Sequence, residues 1–331
     1  KISAMLEGDE ALCKQYAHLL PLCKEMCALA HILIRKREKR GSIDLDVKEA
    51  QITLSGESVQ VSEYKRTMAH RIIEEFMILA NETVAEFVTA YELPFVYRVH
   101  EKPSEEKAQG LKAYLQQLGL KANFRPANVR PGEYGKILKE LEGDERFRVV
   151  NRVMLRSMSK ARYSAENCGH FGLASDCYCH FTSPIRRYPD LLVHRIVKLI
   201  LDGKAGEAEQ SYRNFVNIAA NSCSASERRA DEAERAVDDL YKVWYMRSHL
   251  GETFEGLISG VTAFGVFVEL ENTVEGLVRI ENLPGDDYVF AEERYLLKGA
   301  NHSYKIGDKM RIVVAACDIG TRRVEFVPAQ E

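Results

Sequence analysis

The stretch FEGLISGVTAFGVFVELENTVEGLVRI, residues 254–280, decides the carboxyl-terminal architecture. Through FEGLISGV, GVFVEL and VEGLVRI, apolar and polar side chains alternate with the period of two that puts successive residues on opposite faces of a strand. KMRIVVAAC (309–317) and RRVEFV (322–327) repeat the pattern after an irregular stretch. Five short strands, with Gly256, Gly260, Gly265 and Gly276 available for bends, suit a small closed β-barrel of OB type. From residue 251 on, 8 basic and 14 acidic residues give a net charge of −6, so the barrel is no simple electrostatic clamp. Nucleic-acid binding there would rest on stacking, for which Phe264, Phe267, Tyr288 and His302 are candidates. The pattern alone leaves open the alternative that the two phenylalanines are ordinary barrel core.

Upstream of the barrel the rhythm changes. Residues 9–40 read as helix interrupted by Pro21, with a basic end (Arg35, Lys36, Arg37, Lys39, Arg40) that complements the negative end of the helix dipole. SIDLDV, AQITL and VQVSEY alternate as strands, the last two as a hairpin around SGES. Apolar residues at 69, 72, 73, 76, 77, 80, 84, 87 and 88 keep helical spacing and define an amphipathic helix from Arg66 to about Thr89. PFVYRVH is strand-like, and residues 104–119 and 133–161 are helical by pattern. An α+β architecture over residues 1–249, followed by a barrel domain over 250–331, is the expected organisation.

The 331 residues carry 46 % hydrophobic and 29 % charged side chains with a net charge of −3, which excludes a disordered tail and a histone-like polycation. No apolar run reaches the length of a membrane helix and KISAMLEGDEALCK lacks a signal-peptide pattern, so a soluble, cytoplasmic protein without membrane partners is expected. The first residue is Lys1 and helical sequence begins at once, which suggests a fragment of a longer protein. Eight cysteines are spread along the chain, and reduced thiols are the default. Cys168, His170, Cys177, Cys179 and His180 mix zinc-ligand types but contain no C-x2–4-C pair, so no metal site is assigned to them.

The densest chemical signal is HFTSPIRRYPDLLVHR, His180–Arg195. Pro184 and Pro189 fix the backbone on either side of Arg186 and Arg187, so two guanidiniums are presented on a stiff loop. Arginine forks match phosphate oxygens, and a hydroxyl at Thr182 or Ser183 can add a donor. The competing explanation is a structural ion pair from an arginine to Asp190 or Glu234, and the residues alone do not decide. Asp190 stands where it could cap the following helix. In SERRADEAERAVDDLYKVWY, Ala230, Ala233, Val237, Leu240, Tyr241 and Trp244 form a helical stripe, Asp231 and Arg235 an i,i+4 pair, and Glu234 a candidate site carboxylate.

The run His170-Phe171-Gly172-Leu173, Tyr178 and HFTSPIRRYPDLLVH resembles the signature of the RNB family of exoribonucleases. EKRGSIDLD, AHRIIEEFMILAN, YRVHEKP, MLRSM, YSAENCGHFGLA and ASERRADEAER extend the resemblance along the chain, and residues 254–280 look like the OB-fold RNA-binding repeat that follows the catalytic domain in this family. The resemblance implies a processive hydrolytic exoribonuclease that degrades single-stranded RNA from its 3′ end to nucleoside 5′-monophosphates, with two Mg²⁺ ions activating water. It implies that Arg186 grips a phosphate near the scissile bond, that Glu234 stands at the active-site end of the channel, and that Asn167, His170, Ser183 and Arg187 line or support it. Phe264 and Phe267 match the RNA-facing aromatics, and Arg279 stands where the repeat more often carries His. Cys179 occupies a position where smaller residues are commoner.

In the family a D-x5-D-x-D-D segment holds the metal ions. Asp44, Asp46, Asp238, Asp239, Asp286 and Asp287 do not match it, so no metal ligand is assigned in this chain. The expectation is therefore the C-terminal part of the catalytic domain plus the barrel, partnered by a missing N-terminal portion of the same protein, by RNA and by contacts with ribosomes or RNA-decay machinery. As an isolated chain it is expected to be inactive. The alternative is a non-catalytic RNA-binding module of the same fold.

Overall fold

The computed structural model describes residues 1–44, 49–56, 58–144, 146–285, 287–291 and 295–329. The expected strand SIDLDV and the positions Asp46 and Asp286 lie wholly or partly outside them. The chain opens with α1 (Ile2–Leu6), α2 (Glu10–Gln15) and α3 (Leu20–Arg40). Pro21 does not interrupt a helix; it sits in the first turn of α3, where a missing N–H removes no intrahelical bond. The basic end of α3 does more than answer a dipole. Arg37 turns inward to a buried ion pair with Glu75 at 2.5 Å and reaches Ser42 Oγ at 3.2 Å, while Arg40 pairs with Glu82 and donates to the carbonyl of Leu173.

Strands β1 (Ala50–Ser55) and β2 (Ser58–Glu63) form the expected hairpin, and α4 (Met68–Thr89) the expected long helix. Next come β3 (Tyr97–Val99), α5 (Glu105–Gln117), α6 (Pro131–Glu140) and α7 (Phe147–Ser157). The single helical run expected over 133–161 is thus two helices, parted where Gly143 adopts φ +82°. β4 (Arg162–Ser164) pairs antiparallel with β3; α8 (Tyr188–Leu201), α9 (Ala205–Tyr212) and the 33-residue α10 (Phe215–Arg247) complete this part. Its apolar core joins the end of α4, β3, β4, α8 and the start of α10 through Val88, Phe95, Tyr163, Leu192, Ile196 and Val216.

The barrel is closed in the order β11-β12-β7-β6-β5, where β5 is Thr253–Thr262, β6 Gly265–Leu270, β7 Glu275–Arg279, β11 Lys309–Asp318 and β12 Arg323–Pro328. The irregular stretch between them adds a small sheet of β8 (Val289–Ala291), β9 (Leu296–Lys298) and β10 (Ser303–Lys305). Val266, Val268, Val278, Ile312 and Phe326 fill the barrel core. Gly276 is required there, because a Cβ would lie 2.5 Å from the buried Phe326 ring. The barrel is tied back by Arg152 of α7 on Glu269 of β6 and by Lys242 of α10 on the carbonyl of Thr273 at 3.1 Å.

The stripe expected on α10 is not core. Ala230, Ala233, Val237 and Trp244 are exposed, and the buried apolar side chains of α10 lie nearer its ends, at Val216, Ala219, Ala220, Val243 and Met246. Arg235 donates to the backbone carbonyl of Asp231 rather than to its carboxylate. No helix among the described residues is long and apolar enough to cross a membrane.

Candidate functional site

The loop before α8 is a tight turn built on Ser183. Its carbonyl accepts from the N–H groups of Arg186 at 3.3 Å and Arg187 at 3.0 Å, and its own N–H donates to Asp190 Oδ1 at 2.8 Å. Asp190 is fully buried and also accepts from the Arg187 guanidinium at 2.8 Å. The two arginines therefore part company. Arg187 makes the structural ion pair, and Arg186, next to the 98 % exposed Ile185, stays exposed with no ion pair among the described residues. Asp190 fastens the loop in front of α8 instead of capping the helix. Thr182 Oγ1 is buried without a partner, so it is no free donor at the surface.

Beneath this loop lies a chain of rings. His100, His170, Tyr178, His180 and Tyr163 meet edge to face in succession, with centroids 5.1, 5.2, 5.9 and 5.6 Å apart. Two of the imidazoles are held neutral by geometry, since His170 Nδ1 accepts from the N–H of Leu173 at 3.2 Å and His100 Nδ1 from that of Gly172 at 3.1 Å. Burial, then the neighbouring His100 and Arg98, lowers the pKa of His170 to about 3; burial, then Arg187 and Arg98, lowers that of His180 to about 2. His180 Nδ1 meets the Tyr163 hydroxyl at 2.9 Å. Asn81 of α4 locks the layer by donating to the Tyr178 hydroxyl and accepting from the N–H of Phe181, both at 2.9 Å. Asn167 is exposed, but its amide is spent on the loop, donating to the Asp176 carbonyl and accepting from Gly169 N–H, each at 3.0 Å.

Helix α10 carries the surface onward. Glu227 pairs with Arg98 at 2.6 Å, and Arg98 lies over the Tyr163 ring at 4.7 Å. Glu234 follows seven residues later, about 10 Å along the axis and on nearly the same face, exposed and without an ion pair among the described residues. Lys242, about 12 Å farther on, lines a cleft of 420 Å³ against the barrel together with Phe264, Phe267, Arg279, Arg322 and Arg323. Phe264 is 56 % exposed and packs edge to face on the half-buried Phe267, so neither belongs to the barrel core. Arg279 is held by Glu325 at 2.5 Å at the cleft wall. Tyr288 and His302 do not line it. Asn81, Arg98 and Glu227 lie inside the motifs that carry the family resemblance but were not singled out there, and Lys242, Arg322 and Arg323 went unmarked. Among the described residues no group of three or more His, Cys, Asp or Glu side chains could hold a metal ion.

A helix-rich α+β body thus ends in an OB-type barrel, with the long helix α10 between them. Comparison with known proteins agrees: the RNB domain family matches residues 1–203 and the S1 RNA binding domain residues 248–326. The chain belongs to the RNB family. It is 45 % identical over 328 residues to ribonuclease R of Aquifex aeolicus, covering 98 % of this chain and 46 % of that protein. To ribonuclease R of Escherichia coli it is 36 % identical over 342 residues, covering 98 % of this chain and 42 % of that protein. The structure of Mycoplasma genitalium RNase R in complex with ribose-methylated single-stranded RNA superimposes with a TM-score of 0.87 at 31 % identity, over 92 % of this chain and 49 % of that one. The chain thus spans less than half the length of these curated relatives.

Proposed function

We propose that this chain is the carboxyl-terminal part of a processive 3′-to-5′ exoribonuclease that hydrolyses single-stranded RNA to nucleoside 5′-monophosphates. The observation that carries the reading is the division of labour in the loop: Arg187 pairs with buried Asp190, while Arg186 stands exposed with no ion pair among the described residues. A guanidinium so placed grips a phosphate with two parallel hydrogen bonds. Helix α10 runs past Glu234 to the barrel cleft, where acidic Asp239, Glu275 and Glu325 stand among Lys242, Arg279, Arg322 and Arg323, so a single strand would be held there by stacking on Phe264 and Phe267 rather than by charge. The relatives are named ribonuclease R, and one of the solved ones holds single-stranded RNA.

The described residues hold no group that fits the Mg²⁺ ions the family resemblance implies. In this reading the metal-binding aspartates come from an amino-terminal portion of the protein outside this chain, and the isolated chain binds RNA without degrading it. A non-catalytic RNA-binding module is the second reading, favoured by the lack of a metal-ligand group among the described residues. The test uses the full-length protein, a 5′-labelled single-stranded oligonucleotide and Mg²⁺. Stepwise shortening from the 3′ end with release of nucleoside 5′-monophosphates is expected. Internal cuts or shortening from the 5′ end would overturn the proposal, and bound but intact RNA would establish the second reading.

A further inference from the structure

The loop that presents Arg186 is held from below by one carboxylate, and that carboxylate touches nothing that could be substrate. Asp190 has no exposed surface; its Oδ1 accepts at 2.8 Å from both the backbone N–H of Ser183 and the guanidinium of Arg187. The Ser183 carbonyl in turn receives the N–H groups of Arg186 and Arg187. The two backbone hydrogen bonds that close the turn are both accepted by Ser183, and Ser183 is anchored on Asp190. The Arg187 side chain is only 19 % exposed and its Nε is buried without a partner, so this guanidinium faces the protein rather than solvent. Arg186, its neighbour, has the opposite character.

We propose that Asp190 is the positioning residue for Arg186, acting through Ser183 and Arg187, and that Arg187 is a brace rather than a phosphate ligand. The inference deepens the exoribonuclease reading and rests on it. Two physical consequences follow. A neutral amide at position 190 can still accept from Ser183 N–H but cannot balance the half-sequestered charge of Arg187, so that guanidinium swings outward and the turn loosens. The remaining contacts along α10 and the barrel still hold the strand, so turnover suffers while affinity does not.

The test compares the full-length protein with its Asp190→Asn, Arg187→Gln and Arg187→Gln/Asp190→Asn variants, with affinity for a non-hydrolysable single strand, its salt dependence and single-turnover degradation as readouts. The expected result is a loss of about tenfold or more in the rate for each single variant, with affinity nearly unchanged. The slope of log affinity against log salt stays at the wild-type value in Arg187→Gln, whereas loss of a phosphate ligand would lower it by about 0.7. The double variant loses no more than the worse single one, because the two residues act as a unit. Unchanged turnover in Asp190→Asn, a reduced salt slope in Arg187→Gln, or losses that multiply in the double variant would each overturn the proposal. If Asp190→Asn fails to fold, Arg187→Gln at its partly exposed site carries the same outcomes. Absence of degradation by the wild type would instead remove the exoribonuclease reading itself.

Discussion

Lowering the pH from 7 to 5 should remove a large part of the stability of this fold, through two half-buried histidines. His170 and His180 lie in the ring layer under the arginine loop, with pKa values lowered to about 3 and about 2 from an ordinary 6.5. In the unfolded chain both rings take up a proton as the pH falls through 6.5; in the folded protein neither does until far lower. The unfolded state thus binds more protons across this interval, and stability falls with falling pH. It is fully present above pH 6.5 and is lost at up to about 1.4 kcal/mol per pH unit for each ring below it, or about 4 kcal/mol for the pair by pH 5. That is a large share of the roughly 5–15 kcal/mol of a typical domain. The geometry agrees, because a proton on His170 Nδ1 would displace the Leu173 N–H that points at it. Guanidinium titrations at pH 7, 6 and 5 measure the loss before most carboxylates titrate, and His170→Gln should halve it. Equal free energies at pH 7 and pH 5 would refute the neutral state of these rings.

Two further outcomes follow from the same packing. Glu75→Ala leaves the buried Arg37 without a counter-charge and should cost about 3–5 kcal/mol in thermal or chemical unfolding, whereas Arg37→Met/Glu75→Leu should be close to neutral. Phe264→Ala should weaken single-stranded RNA binding by about 1–3 kcal/mol in a titration, with little change in the chemical step; unchanged affinity would remove that ring from the RNA surface.

How much of this was legible in the sequence depended on whether a residue acted locally. The barrel was readable strand by strand, because a half-buried strand writes its faces into a period of two, whereas Gly276, read as a bend position, proves to leave room for the distant Phe326 ring. The proline-bracketed loop was readable for the same reason. The long helix α4 was read only in outline: its buried stripe includes Glu75 and Asn81, polar residues that a hydrophobic pattern assigns to solvent. Their partners, Arg37 and the Tyr178–Phe181 segment, are 38 and about 100 residues away. Helix α10 failed in the opposite sense, since an apolar stripe at helical spacing stands exposed along its middle. The choice between phosphate grip and ion pair at Arg186 and Arg187 could not be made from spacing, because it turns on which guanidinium reaches the buried Asp190.

Whether Arg186 acts on RNA while its neighbour is locked is decided by single-turnover degradation by Arg186→Ala in the full-length protein, paired with RNA affinity. A preorganised charged donor at a reacting phosphate is worth about 10²–10³ in rate. A loss of that size with affinity nearly intact is expected, since the contacts on α10 and the barrel cleft remain. Parallel losses of binding and rate, or a rate unchanged from wild type, would contradict it.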